Sequence, residues 1–498
     1  MEETPMKRGT GSGGGSTRPA AHELARYEAL FASRTKGMKS SAMREMMALT
    51  ERPDVISLAG GLPDTSTFPA ELYAKLMAEV AVEGTARALQ YGPTEGMAAT
   101  VECIVEVMAA EGTEIDPAEV IVTTGGQQVI DLVCKTLIDP GDVIVAEAPT
   151  YPGAVPTFSA YQAQVEQIEI DADGMPIDAL EATLDRLAAE GRRPKFIYTI
   201  PNFQNPGGVT MSLPRRRRLV EVARERELLI LEDNPYGLLR YEGEPLPTLL
   251  SLDTQMAGRG GASDLVIYLG TFSKILSPGL RLGWAVAPRP VLEKLNLGKQ
   301  GSDLCSSPVT QMFVSAYFRQ REGAWLEYVE GLRDLYRSRR DAMFEALAEH
   351  FGETARWTRP EGGLFIWATL DERIDTTDLL ALARTTQGVA FVPGRAAYMD
   401  ERSGSSSMRL NFAGMPEEQI REGVRRIGKA IGEQVGLLGS LTGSSGGRAG
   451  TGKTGLGDAP EQAPKDSGEA AGGQEGMADV VALPRREGDA RGRRRRDR

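Results

Sequence analysis

The stretch DLVIYLGTFSKILSPGLRLGWAVAP (264–288) decides the fold. Its first seven residues are a nearly unbroken apolar run. A strand reads this way when it is buried on both faces. The run stops at TFSK, turns through SPGLR and resumes as LGWAVAP. Within it DLVIYLG (264–270) and LGWAVAP (282–288) read as strands, and five more complete the pattern towards the N-terminus. They are EVIVTT (119–124), DVIVAEAP (142–149), QVEQIEI (164–170), KFIYTI (195–200) and LLILED (228–233). Helical stretches lie between them, including 126–138, which follows a glycine pair, 176–190, and 214–227 with Pro214 in its first turn. Strands separated by helices predict a mostly parallel, seven-stranded doubly wound sheet of the α/β class.

The pattern changes after residue 310. Longer helices fill about 310–350, a β-rich patch GGLFIWATL follows at 362–370, and a last helix begins at Pro416. In that helix Ile420, Val424, Ile427, Ile431 and Val435 form one apolar stripe. The expected organisation is a tail (1–21), an N-terminal arm (22–65) joining a smaller α+β domain, a large domain (66–309), the smaller domain (310–437) and a second tail (438–498). Both tails lack Phe, Tyr and Trp and are rich in small or polar residues. They have too little apolar surface to offset the entropy of ordering, so disorder is expected. The terminal GRRRRDR and the run Arg215–Arg218 read as solvated charge. Met43, Met46 and Met47 read as packing.

Composition narrows the function. The 498 residues carry 57 Lys+Arg against 69 Asp+Glu, a formal charge of −12, which argues against a general nucleic-acid binder. Three cysteines (Cys103, Cys134, Cys305) without a CxxC pair point to a reducing, cytoplasmic setting. Only His22 and His350 are present, both outside the motif-rich stretch, so His triads and multi-His metal sites are not expected. No apolar run is long enough for a membrane span, and none is expected.

In such a sheet ligands bind at the carboxyl ends of the strands. The polar residues there are Gly126 and Gln127 after the first strand, Tyr151 after the second, Asn202 and Asn205 in PNFQNPGG (201–208), Asp233 and Tyr236 in EDNPYG (232–237), and Thr271, Ser273, Lys274 and Arg281. One ligand uses them all. A phosphate suits Gly126, Gln127, Thr271, Ser273 and Arg281. A flat ring suits Tyr151, which is otherwise core packing. A protonated ring nitrogen suits the carboxylate of Asp233, which is otherwise a helix cap. A phenolic oxygen suits Asn205 and Tyr236. An aldehyde suits Lys274, whose amine can capture it covalently. That ligand is pyridoxal 5′-phosphate.

The ordered phrases SLAGGLPD (57–64), LQYGPTEG (89–96), TTGGQQ (123–128), PNFQNPGG, EDNPYG, TFSKILSPGLR (271–281), FVPG (391–394) and MRLNF (408–412) make the chain resemble fold-type-I aminotransferases of class I/II over about residues 24–436. Its pattern is most similar to the 2-aminoadipate, aromatic and broad-range members. The resemblance implies transamination between an L-amino acid and a 2-oxo acid such as 2-oxoglutarate, by a ping-pong scheme. Lys274, Asp233 and Tyr236 would be catalytic, with Thr271 where the family usually has serine. Arg409 would clamp the substrate carboxylate. Gly60 and Gly61 would approach the substrate, or merely turn the chain. Tyr91 would reach the cofactor of a neighbouring subunit, which implies a homodimer. Arg44 would face the substrate side chain, or form an ordinary helix salt bridge. Two other readings stand beside this one: a β-lyase or decarboxylase on the same site, and a regulator carrying an aminotransferase-like domain.

Overall fold

A computed structural model describes residues 27, 30–38, 55–258, 263–321 and 323–441. Arg44, the three methionines near it, the first tail and the second tail beyond residue 441 lie outside the described residues; residues 438–441, expected in that tail, instead continue the last helix, Glu417–Leu441. The strands are β1 (Ile56–Ser57), β2 (Val120–Thr123), β3 (Val143–Ala148), β4 (Gln164–Glu169), β5 (Pro194–Thr199), β6 (Leu229–Asp233), β7 (Val266–Thr271) and β8 (Gly283–Val286). They continue with β9 (Arg356–Trp357), β10 (Phe365–Thr369), β11 (Val389–Ala390), β12 (Val392–Pro393) and β13 (Ser407–Asn411).

The seven runs read as strands make one seven-stranded sheet of order β2-β8-β7-β6-β5-β3-β4. Its pairs are parallel except those of β8, which runs antiparallel to β2 and β7. The reversal has a local cause. The other sequential strands are separated by helices, among them Gly126–Leu137, Ile177–Ala189 and Leu213–Arg226. Between β7 and β8 only residues 272–282 intervene, with one short 3-10 turn, Pro278–Leu280. A return that short can only lead back antiparallel. It carries Lys274 in its first turn.

Alternating residues of the sheet enter two cores. Ile121, Ile144, Phe196, Leu231, Ile267 and Ala285 pack on one face. Val122, Val145, Ile197, Ile230, Val266 and Trp284 pack on the other. This double burial is what the unbroken apolar runs encode.

A second, antiparallel sheet has the order β12-β13-β10-β9. The helices Trp325–His350 and Glu417–Leu441 pack beside one another. Ile420, Val424 and Ile427 are fully buried, while Val435 at the far end of the stripe is exposed. β1 pairs parallel with β11, and Asn411 N–H donates to Leu58 C=O. The chain from 58 to 62 is thereby laid along the end of β13.

One reading is corrected. Arg216 is not part of a solvated face; it is fully buried. Its guanidinium donates to the carbonyls of Met211, Pro247 and Pro201 and to Asn202 Oδ1. The charge run hides it because Arg215 and Arg218 do face outward, each on carboxylates. Among the described residues no helix is long and apolar enough to cross a membrane, and no cluster of metal-ligating side chains occurs.

Candidate active site

The carboxyl ends of β2, β3, β5, β6 and β7 surround a cavity of about 590 Å³. At one end β2 runs into Gly125, whose φ of +80° favours glycine, and the helix Gly126–Leu137 begins at once. A Cβ on Gly125 would lie 2.5 Å from Arg281 Nη2, and one on Gly283 would lie 2.9 Å from Gly125 C and Gly126 N. Backbone, guanidinium and β8 therefore meet without intervening side chains. The first N–H groups of the helix have no intrahelical acceptor. Thr271 Oγ1 donates to Ser273 Oγ at 2.8 Å and accepts from Ser273 N–H at 3.1 Å, which brings both hydroxyls together. Arg281 makes only long contacts, to Thr124 C=O (3.5 Å) and Pro278 C=O (3.4 Å), and forms no ion pair among the described residues. Free N–H groups, hydroxyls and a cation make an anion site.

Asp233 ends β6 and is buried. Its Oδ2 accepts the Tyr198 hydroxyl at 2.7 Å. Burial pushes the acid up to about 6, against the opposing pull of that hydrogen bond. Lys274 Nζ donates to Gly61 C=O at 2.8 Å. Burial pushes this amine down to about 8, and repulsion from Arg409 and Arg281 adds to the shift. It too has no ion-pair partner among the described residues. An amine with such a value is unprotonated to about one part in ten at pH 7, several hundred-fold more than an ordinary lysine, and so is a usable nucleophile.

Arg409, on β13, is fully buried, and burial lowers it to about 10. It donates to Asn205 Oδ1 at 2.9 Å and Ala59 C=O at 2.7 Å, and its guanidinium lies 4.2 Å from the Phe365 ring centroid. Asn205 in turn hydrogen-bonds Tyr236, whose phenol is pushed up by burial. The Tyr236 ring meets Phe365 edge-on at 6.1 Å. Tyr151 covers Gly153 so closely that a Cβ there would lie 2.4 Å from the ring.

Of the residues singled out in the sequence, Gly60, Asn202 and Tyr91 do not line this cavity, Arg44 lies outside the described residues, and the others line it; Asn202 instead accepts from Arg216 and donates to Asn234 Oδ1. Gly60 lies behind it and its carbonyl accepts from Asn411 Nδ2. Tyr91 is 79% exposed and outside this chain's cavity. Gln127 lines the cavity, but its amide is engaged by Thr157 Oγ1 (2.8 Å) and Gly153 C=O (3.2 Å). What it offers an anion is its backbone at the helix start. Sequence reasoning missed Tyr198, Phe365 and Leu62. Tyr198 and Phe365 sit within apolar runs, where an aromatic ring reads as packing.

The residues present fit a phosphorylated pyridine aldehyde. The anion site lies with the Gly125–Gly126 turn, the buried acid Asp233 has no counter-charge among the described residues, and a partly buried amine has its proton loosened.

A family model, aminotransferase class I and II, matches residues 53–427. The chain belongs to this family and is a transaminase. It is 44% identical over 411 residues to aromatic-amino-acid aminotransferase 1 of Thermococcus litoralis, covering 82% of this chain and 95% of the relative. The Pyrococcus horikoshii kynurenine aminotransferase structure, in complex with PMP, superposes with a TM-score of 0.76 at 40% identity, covering 83% of this chain and 99% of that one. The α-aminoadipate aminotransferase LysN of Thermus thermophilus, complexed with N-(5′-phosphopyridoxyl)-L-leucine, gives 0.75 at 37% identity, with 82% and 99% covered.

Proposed function

We propose that this aminotransferase holds pyridoxal 5′-phosphate in the cavity and transfers amino groups from aromatic, branched-chain or acidic L-amino acids, including 2-aminoadipate and glutamate, to a 2-oxo acid such as 2-oxoglutarate. The observation that carries the reading is the convergence of Lys274, Asp233 and Arg409 on one cavity. The Gly126 and Gln127 backbone, Thr271, Ser273 and Arg281 bind the phosphate. Tyr151 stacks on the ring. Asp233 holds a proton at the ring nitrogen, while Asn205 and Tyr236 hydrogen-bond the ring oxygen. Held by these residues, the cofactor would supply an electron sink for the pair left at the substrate Cα.

The chain's own residues do the rest. Arg409 orients the substrate carboxylate so that the Cα–H bond is presented to Lys274. Lys274 Nζ accepts that proton and later returns one, work suited to a group near 8. Phe365 and Leu62 give the cavity apolar lining, which supports aromatic and aliphatic side chains. Arg44 is proposed to meet acidic ones, and Gly60 and Gly61 to approach the substrate.

Tyr91 is proposed to complete the phosphate site of a second copy. Its exposure, with that of Leu89, Val82 and Met77, supports a homodimer. The division into a large domain (66–309) and a small one (310–437, with the arm 22–65) is proposed on the two sheets. The free cysteines support a cytoplasmic location. The lyase, decarboxylase and regulator readings draw no support from these relatives.

The test is to assay the purified protein with individual amino acids and 2-oxo acids. Parallel initial-rate lines for two substrates are expected, and intersecting lines would refute the ping-pong scheme. Arg44→Ala is expected to lose preference for glutamate over leucine; an unchanged preference removes Arg44 from the pocket.

A further inference from the structure

Glu147 sits at the carboxyl end of β3 and is 2% exposed. It is absent from the cavity lining and forms no ion pair among the described residues. A carboxylate so placed is costly to desolvate, and something must compensate. Three donors do, all from residues 199–204. Thr199 Oγ1 donates to Glu147 Oε1, while Ile200 N–H (3.2 Å) and Gln204 Nε2 (3.1 Å) donate to Oε2. Gln204 also donates to Pro149 C=O at 2.7 Å and accepts from Gly207 N–H at 2.6 Å. Glu147 thus ties the exit of β5 and the turn beyond it to the end of β3. Asn205 is the next residue along that turn.

We propose that Glu147 is a positioning residue for transamination: by holding residues 199–204 it sets Asn205, and through Asn205 the guanidinium of Arg409. The link is continuous. Gln204 is bonded to Glu147, Asn205 follows it in the chain, and Asn205 Oδ1 accepts from Arg409 Nη1 at 2.9 Å. A carboxylate suits the task because its two oxygens offer about four lone pairs, enough for three donors from one loop. Arg216 grips the same loop elsewhere, at Pro201, Asn202 and Met211. At the Gln204–Asn205 turn Glu147 acts together with Pro149 C=O, which shares the Gln204 amide, and with the backbone bond from Gln204 N–H to Val209 C=O at 2.8 Å.

The inference rests on the aminotransferase reading of this cavity, so its test carries one readout independent of turnover. Glu147→Ala, Glu147→Gln, Gln204→Ala and Asn205→Ala are compared with wild type as holoenzyme. Measured are kcat, KM for the amino donor, melting temperature, and Kd for pyridoxal 5′-phosphate by equilibrium dialysis of the stripped protein. Glu147→Ala and Gln204→Ala are expected to raise KM by about tenfold and to weaken cofactor binding several-fold, the scale of a small misplacement of binding groups. Glu147→Gln is expected to stay near wild type, since the Thr199 hydroxyl can turn to accept from the new amide. Adding Asn205→Ala to Glu147→Ala is expected to cost little more than Asn205→Ala alone.

A lowered melting temperature with KM and Kd unchanged in Glu147→Ala and Gln204→Ala would overturn the proposal, as would fully multiplicative effects in the double variant. If Glu147→Ala does not fold, Gln204→Ala decides. A wild type that binds the cofactor but transfers no amino group would defeat the functional reading, while the dialysis arm still judges Glu147.

Discussion

Replacing Tyr198 by phenylalanine removes one oxygen atom from the surroundings of Asp233 and little else. The ring is fully buried and meets Phe158 edge-on at 5.4 Å, so its place in the core is kept. What goes is the 2.7 Å hydrogen bond from its hydroxyl to Asp233 Oδ2. A buried hydrogen bond to a charged group contributes about 1.5–3 kcal/mol, and about 1.4 kcal/mol moves a pKa by one unit. Asp233 already stands at about 6, because burial outweighs the Tyr198 bond that pulls it down. Without that bond the acid is expected to rise by about one to two units and to be largely protonated at neutral pH.

The sign for binding follows. A ring nitrogen carrying a proton pairs with the ionised acid, so affinity for pyridoxal 5′-phosphate falls as pH drops through the acid's pKa. For wild type this decline begins near pH 6. In Tyr198→Phe it is expected to begin one to two units higher. The assay is equilibrium dialysis of stripped protein from pH 5 to 9, with the fold checked by circular dichroism. A decline in the variant that stays near pH 6 would refute the account of Asp233.

Other expectations follow from single contacts. Covalent uptake of pyridoxal by stripped protein should rise with pH to a half-point near 8, since Lys274 must lose its proton to react; a half-point near 10.5 would mean an ordinary lysine. Gly283→Ala places a Cβ 2.9 Å from the Gly125 and Gly126 backbone, which cannot yield as a side chain can. Such overpacking costs about 1–3 kcal/mol, and a weakened phosphate end should appear as a higher cofactor Kd. Arg216→Met takes a donor from four acceptors, three of them buried, of which Pro201 C=O keeps the Met211 N–H, and a loss on the order of 3 kcal/mol in urea denaturation is expected.

Much of this architecture can be read from residue order. Most of the seven strands are visible because burial on both faces demands unbroken apolar runs; β4, QVEQIE at the sheet edge, shows instead as a short mixed run with Val165 and Ile168. The site is visible because a doubly wound sheet brings its strand ends together, so Asp233, Lys274 and Asn205 meet although far apart in the chain. Other features have no local signal. Tyr198 lies in KFIYTI, and its acceptor is 35 residues away. Glu147 is the one acid in VIVAEA, and its donors follow 52 or more residues later. Arg216 sits among three arginines, and only the packing of Met211 and Pro247 against it separates it from them. Such groups are defined by long-range hydrogen bonds, which neither periodicity nor composition records. The antiparallel course of β8 was legible in principle, from the short segment between two apolar runs.

The central claim is that Lys274 is the residue that joins the cofactor to the protein. Holoenzyme treated with borohydride, digested and analysed by mass spectrometry tests it directly. The expected result is a single peptide spanning TFSK bearing one phosphopyridoxyl group on Lys274. Recovery of that group on another lysine, or of an unmodified Lys274 peptide from protein that carries the cofactor, would contradict the account.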